Sequence, residues 1–570
     1  MNMRAVVSSQ LQNCLASIYP DTVIPFNVSD VLEVPPDSKL GDLAFPCFRL
    51  SKVLRAAPPV IASKLKDAIG TPEGFSVQAV GGYLNIFFDR EAFAENTLAD
   101  ILSDPDHWGS DTTGRGKTVC MDYSSVNIAK RFHIGHLSTT VLGNSLMRIY
   151  RFLGWNTVGI NHLGDWGTQF GNLITAYKKW GTPEMVREGG ISALTELYQR
   201  FHREAAEDAS LFDEGRKWFK AIEDHDPEAI ELFDLFKSIT LRDVQKIYDT
   251  LNVHFDSYAG ESFYNDKMQR VIDELNAKGL LIDSDGAKIV DLEKWDMPPC
   301  LILKSDGATL YSTRDIAAAL YRKDTYHFDL CLYVVAYQQN LHFRQWFKVL
   351  ELMGYDWAET QLKHIAFGMV SYEGETLSTR EGHMVYLEDV LQKAQEKALS
   401  IIEEKSPGLE NKQEVARQVG VGAVVYSALQ NGRIKDLDFW WDRALNFDGD
   451  TGPYVQYTHA RCCSVLRKAW DLPVSEADYS ALSNDEAQNV LRLLSRFPDS
   501  VRDACDKNEP YLITRAVTEL AKAYNQFYYV HRVLDDDAAK RTAMVALTSA
   551  VRSVIRTGLF LIGMEAPERM

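Results

Sequence analysis

The stretch from Lys117 to Phe170 constrains the fold of this chain more than any other. Thr118 to Tyr123 is a short apolar run with β-branched residues, which suits a strand buried on both faces. A loop follows, reading Ser-Ser-Val-Asn-Ile-Ala-Lys-Arg-Phe-His-Ile-Gly-His from 124 to 136. Leu137, Val141, Leu142, Leu146, Ile149, Tyr150 and Leu153 then recur at helical spacing, and Gly154 supplies a C-terminal stop. Thr157-Val158 opens a second strand. Strand, loop, helix, strand is one crossover unit of a Rossmann-like parallel sheet. Its loop sets His133, Gly135 and His136 at the positive end of the helix.

That position has a chemical reason. A triphosphate needs hydrogen-bond donors beside a helix N-terminus; two imidazoles supply them, while Gly135 lets a flat adenine approach the backbone. His133 and His136 are therefore candidate catalytic and ATP-binding residues, stabilising charge at the α-phosphate without a covalent step. A pair of surface histidines is the competing explanation of His-x-x-His read alone. The strand before it and the helix after it argue for the nucleotide.

Composition is compatible with a large enzyme. At 570 residues, 46% hydrophobic and 25% charged, the chain can bury several cores, and its length suggests roughly three or four domains. The N-terminus lacks the apolar core of a secretory signal, and no uninterrupted apolar run reaches the ~18 residues of a membrane span, so the expected location is cytoplasmic, with no membrane partner. Eight cysteines occur without Cys-x-x-Cys spacing, and reduced thiols are expected instead of disulfides or a metal site.

The loop at 124 to 136, followed by Gly-Asp-Trp-Gly-Thr-Gln-Phe-Gly at 164 to 171, resembles the arginyl-tRNA synthetases. The resemblance continues through Tyr311-Ser-Thr-Arg-Asp315, Tyr333-Val-Val-Ala-Tyr-Gln-Gln339 and Gly452-Pro-Tyr-Val-Gln-Tyr-Thr-His-Ala-Arg461, and covers nearly the whole chain. It implies a class I aminoacyl-tRNA synthetase of α/β fold: a Rossmann-like catalytic domain with a helical insertion, an N-terminal α+β domain, and a C-terminal all-α helix-bundle anticodon-binding domain. Boundaries are expected at 1–110, 111–385 with the insertion at about 182–251, a helical connector at 386–441, and 442–570. The net charge of −18 tells against a nonspecific nucleic-acid binder, and no DNA partner is expected. A selective RNA enzyme can confine its bases to one face while the acidic remainder repels other polyanions.

The resemblance also implies site residues. In the N-terminal domain Tyr83 would stack on an exposed tRNA base and Asn85 would read its edge; the alternative is a half-buried strand tyrosine beside a solvated asparagine. In the catalytic domain, a pocket selective for a guanidinium should present a carboxylate with polar neighbours, and Tyr311 and Asp315, one helical turn apart, fit that need. Arginine contacts are implied also for Asp122, Asn127, His136, Gln339 and Glu261. A nucleotide loop is expected at Gly368, Met369 and Val370.

After that loop the family carries a Lys-Met-Ser-Lys-type signature, whereas this chain reads Thr-Leu-Ser-Thr-Arg-Glu-Gly from 376 to 382. Ser378 stands in that nucleotide-binding segment. Both lysines are missing, and the resemblance assigns their charge to Lys130, with Arg380 as a candidate second cation. Val126 and Arg131 stand where the family often has proline, and Ser138 where it often has arginine. In the C-terminal domain, Tyr454, Tyr457, Arg461, Tyr528 and the terminal Met570 are the implied anticodon contacts, a mixture of stacking rings and cations that suits splayed bases.

Three functions compete at this stage: a ligase joining L-arginine to tRNA with ATP, its Mg²⁺ carried on the phosphates; a small-molecule nucleotidyl transferase; and a noncatalytic tRNA-binding relative. Length argues against the second. The retained Asp122, Asn127, Tyr311, Asp315 and Gln339 argue against the third. The expected state is a monomer.

Overall fold

The computed structural model describes residues 3–305, 309–376 and 384–570. At the N-terminus, β1 (Leu43–Pro46), β2 (Phe75–Val80) and β3 (Tyr83–Phe88) form an antiparallel sheet in the order β1-β3-β2, covered by helices Met3–Ile18 and Pro58–Ile69. Between β1 and the helix Pro58–Ile69 the chain turns through two short helices, which bury Leu50 and leave Phe48 and Val53 exposed.

The parallel sheet begins with β4 (Thr118–Asp122) and β5 (Asn156–Ile160), joined across the helix Leu137–Phe152. Four helices follow: Thr168–Trp180, Pro183–Glu207, Ser210–Glu223 and Pro227–Thr250. The last three form the helical insertion, with Leu194, Leu197, Phe201, Phe236 and Ile239 buried in its core. A small antiparallel sheet of β6 (Ile282–Ser284), β7 (Ala287–Val290) and β8 (Cys300–Leu303) comes next and has no counterpart in the sequence reading. After the helix Tyr311–Tyr326, β9 (Leu330–Tyr333) and β10 (Leu362–His364) complete a parallel sheet of order β10-β9-β4-β5. The chain leaves β4 toward β5 and later returns on β4's other side as β9. The crevice between the C-terminal ends of β4 and β9 is thus the topological switch point, where open α/β sheets bind ligands.

A third small sheet links the two halves of the molecule. β11 (Val370–Tyr372) pairs antiparallel with β12 (Glu375–Thr376) and parallel with β13 (Leu437–Phe439), bringing the end of the connector back to the expected nucleotide loop. Between them lie the packed helices Leu387–Lys405 and Lys412–Leu429. Four long helices, Gly452–Ala469, Asp485–Lys507, Tyr511–Val530 and Ala538–Leu561, build the C-terminal bundle. Ala538–Leu561 has the length and apolarity of a membrane span, but most of it is buried in this bundle, as a core helix is. Every cysteine is free.

The N-terminal domain docks onto the C-terminal bundle. Arg492 pairs with Asp42 at 2.6 Å, Arg90 pairs with Asp485 at 2.8 Å, and the Trp108 indole donates to the Leu494 carbonyl at 2.9 Å.

Candidate active site

The loop after β4 is shaped by its two histidines. His133 caps a 3-10 turn, Ile134–His136, that runs directly into the helix Leu137–Phe152. Its Nδ1 accepts the Gly135 N–H at 3.1 Å, and the His136 Nδ1 accepts the His133 N–H at 3.2 Å. With both Nδ1 atoms acting as acceptors, each neutral ring carries its proton on Nε2, free to donate. Burial, then the nearby Lys130 charge, pushes His133 down to about 4. Burial and the neighbouring His133, with a smaller push from Lys130, hold His136 down at about 3. Two neutral donors, their rings tilted against each other with 3.9 Å between centroids, therefore stand at a helix N-terminus at neutral pH.

The loop is held from outside. Ile134 N–H donates to the Val385 carbonyl and Leu387 N–H to that of Phe132, both at 2.9 Å, while the Arg131 guanidinium stacks 3.6 Å over the Tyr386 ring. Asn127 lies against Gly164, where a Cβ would fall 2.0 Å from its side-chain oxygen. Asp165 of the same Gly-Asp-Trp-Gly motif is fully buried and accepts from Lys237 of the insertion at 2.6 Å and from the Ser262 N–H and hydroxyl at 2.8 Å. It fixes the segment carrying Glu261.

Carboxylates gather beside this loop. Glu261 is pushed up to about 7, mainly by burial, with Arg314 opposing and the charges of Asp315 and Asp165 adding. Its ion pair with Arg314 is a long one, 3.6 Å. Asp315 accepts from His342 Nε2 at 2.5 Å and remains about a quarter exposed. Burial lowers His162, and Asp122, Asp315 and Asp165 all lie close enough to raise it. Asp122 at the tip of β4 pairs with the fully buried Arg322 at 2.8 Å and accepts from Ser125 at 2.8 Å, so much of its charge is already balanced within the protein. Tyr311 opens its helix and stands exposed one turn before Asp315; Gln339 lies exposed after β9, across the crevice from the histidine loop. The partners Arg322, His342 and Lys237 were missed from sequence because each reaches the site from another element, and Arg314 and Ser262, although next in sequence to Asp315 and Glu261, carry no local signal of what they pair with.

Of the expected nucleotide loop, Gly368 packs so tightly that a Cβ would lie 2.5 Å from the Lys435 carbonyl oxygen. Met369 is exposed, its N–H donating to Asp436 at 2.7 Å, and Val370 buries its side chain in β11, leaving only backbone for any ligand. Ser378 and Arg380 lie outside the described residues. Among the described residues no cluster of histidine, cysteine and carboxylate ligands is arranged to hold a metal.

The expected RNA contacts separate into two groups. Tyr457, Arg461, Tyr528 and Met570 line one cleft of about 720 Å³ together with Arg467, Lys468, Arg532 and Arg569. The Arg461 guanidinium sits 4.9 Å from the Tyr457 ring and 5.1 Å from that of Tyr528. Tyr454, one turn earlier, is half-buried, its N–H capped by Thr451, and does not line the cleft. Tyr83 is exposed and meets Phe48 edge to face at 5.7 Å. β3 is the central strand, and Asn85 faces Ala44 and Gln78 across it and is 5% exposed, so it is not the solvated neighbour of the alternative reading.

Three family models match the chain in sequence order. The arginyl tRNA synthetase N terminal domain matches residues 3–88, the class I (R) tRNA synthetase catalytic domain 97–441, and the DALR anticodon binding domain 455–570. The chain is 53% identical over 542 residues to the arginine–tRNA ligase of Alkaliphilus metalliredigens, covering 95% of this chain and 96% of that one. It is 50% identical over 562 residues to that of Clostridioides difficile, covering 98% and 99%. The solved arginyl-tRNA synthetase of Thermus thermophilus superposes along the full length of both chains with a TM-score of 0.80 at 25% identity. With three domain models in order, half-identical relatives over nearly all of its length and a shared architecture, the chain belongs to the arginyl-tRNA synthetases of class I.

Proposed function

We propose that the protein activates L-arginine with ATP and esterifies it to the 3'-terminal ribose of its tRNA, using the crevice between β4 and β9. The observation that carries this reading is the reciprocal cap of His133 and His136, two neutral Nε2 donors at a helix N-terminus beside the partly protonated Glu261 and the partly exposed Asp315. In the first step an oxygen of the arginine carboxylate attacks the α-phosphorus, and the bond to pyrophosphate breaks. His133 and His136 donate to the phosphate oxygens as charge builds, and Lys130, with Arg380, faces the leaving pyrophosphate. In the second step a ribose hydroxyl attacks the carbonyl of the adenylate and AMP leaves. Mg²⁺ enters on the phosphates of ATP.

In this reading Glu261, Asp315 and Tyr311 take the guanidinium, and Asn127, Gln339 and Asp122 hold the α-amino and carboxylate ends. Gly368, Met369, Val370 and Ser378 border the nucleotide. Tyr457, Arg461, Tyr528, Met570 and Tyr454 meet the anticodon, and Tyr83 meets the body of the tRNA. The functional units are residues 1–110, 111–385, 386–441 and 442–570, in a cytoplasmic monomer. A charging assay with total tRNA and each amino acid in turn tests the reading. Label appearing in RNA only with arginine is expected; equal charging with lysine overturns the guanidinium slot. Lys130→Met should lower turnover at least a hundredfold, in the range lost with a single transition-state donor, and full turnover would remove Lys130 from the chemistry.

A further inference from the structure

Ala129, the residue before Lys130, holds an unusual conformation. Its φ is 59°, the left-handed region that a side chain disfavours, and it is buried. What keeps it there comes from the helical insertion. Its N–H donates to Thr240 Oγ1 at 3.1 Å, across 111 residues of sequence. Thr240 is fully buried and sends its own proton to the Phe236 carbonyl at 2.8 Å, which leaves an oxygen lone pair directed at Ala129. From the helix Pro183–Glu207, Thr195 Oγ1 lies 3.3 Å from the Ala129 carbonyl while bonding the Ile191 carbonyl at 2.8 Å. Of the two hydroxyls, Thr240 makes the shorter and unshared contact. We propose that Thr240 is a positioning residue: by holding Ala129 left-handed, it sets the direction in which Lys130 leaves the backbone and so its approach to the phosphates.

The inference rests on the proposed role of Lys130, and its physical content is a conformational preference. Removing the acceptor orphans a buried N–H, and the cheapest relief is for Ala129 to leave the left-handed region. That rotation redirects the next side chain. His133 and His136 keep their own reciprocal cap and are unaffected, so the defect should fall on turnover and spare ground-state binding.

The test uses the full-length protein with tRNA, arginine and ATP. Thr240→Val, which keeps the branched shape without the hydroxyl, should lower the kcat of aminoacylation roughly tenfold with KM for arginine unchanged. Thr240→Ser should restore it. In a Lys130→Met background Thr240→Val should cost nothing further, because the group it positions is gone. Unchanged kcat in Thr240→Val overturns the proposal, as does a serine variant no better than valine. Losses that multiply with those of an impaired Lys130→Met overturn the positioning role alone, whereas full turnover by Lys130→Met overturns the role of Lys130 itself. Thr240→Ala carries the same comparisons if the valine variant does not fold.

Discussion

Burial sets the charge state of a single residue at Glu261. Its carboxyl titrates near 7 because desolvation and the neighbouring carboxylates outweigh the distant Arg314 guanidinium. A bound guanidinium favours the ionised form, so below about pH 7 the protein must release a proton to bind arginine, and affinity falls as pH falls. KM for arginine should therefore rise by up to about tenfold per unit as pH drops below 7. Glu261→Gln should abolish that dependence while weakening binding at pH 8 by about ten- to a hundredfold, the loss of a charge-assisted bond. An identical pH slope in the glutamine variant would assign the titration elsewhere. The histidines make the opposite prediction. Held near 4 and 3, they stay neutral donors, and kcat should show no imidazole titration between about pH 5.5 and 8. Their placement at the helix N-terminus was legible in sequence because cap, glycine and helix are contiguous. The setting of Glu261 was not, since Asp165 and the adjacent pair Arg314 and Asp315 converge on it from two separate segments.

At the scale of elements, periodicity revealed the long pieces and missed the short ones. The expected strand at 118–123, helix from 137 and strand at 157 correspond to β4, Leu137–Phe152 and β5 within a residue or two, because an apolar run and a 3.6-residue stripe carry their own signal. β13, three residues long, carries none; it exists because Val370 and its neighbours offer a strand to pair with. The burial of Asn85 was not legible for a related reason: alternation cannot say that β3 would be central in its sheet. The junction of β4 with its helix depends on Gly143, where a Cβ would lie 2.3 Å from the Tyr123 ring. Tyr123 is buried and packed against Phe255, 4.5 Å between ring centroids, so the ring cannot yield. Alanine would contribute about 1 kcal/mol of helix propensity, yet overpacking of a fixed core costs about 1–3 kcal/mol and more when several atoms clash. Gly143→Ala should thus be net destabilising by about 1–2 kcal/mol, read in a denaturant titration. A more stable variant would show that the helix can shift from β4.

The whole molecule resolves a conflict that composition alone leaves standing. A net charge of −18 opposes a polyanion, yet Arg461, Arg467, Lys468, Arg532 and Arg569 share one cleft of the C-terminal bundle with two exposed tyrosines. The N-terminal sheet is braced against the same bundle through Asp42, Arg492 and Trp108, so Tyr83 and the cleft are parts of one frame. If RNA binding were driven by the field of the entire protein, attraction would be weak and diffuse. If it is driven by the cleft, the salt dependence should count the cations there. Each phosphate contact to a single-stranded loop contributes about −0.7 to the slope of log K against log salt. Arg467→Gln with Lys468→Gln should therefore flatten the slope for tRNA by about 1.4, measured by filter binding across a salt series. Arginine KM at saturating tRNA should not move, because neither side chain reaches the crevice between β4 and β9. An unchanged slope would place the phosphates on another face, and the acidic surface would then have to be explained without a confined basic one.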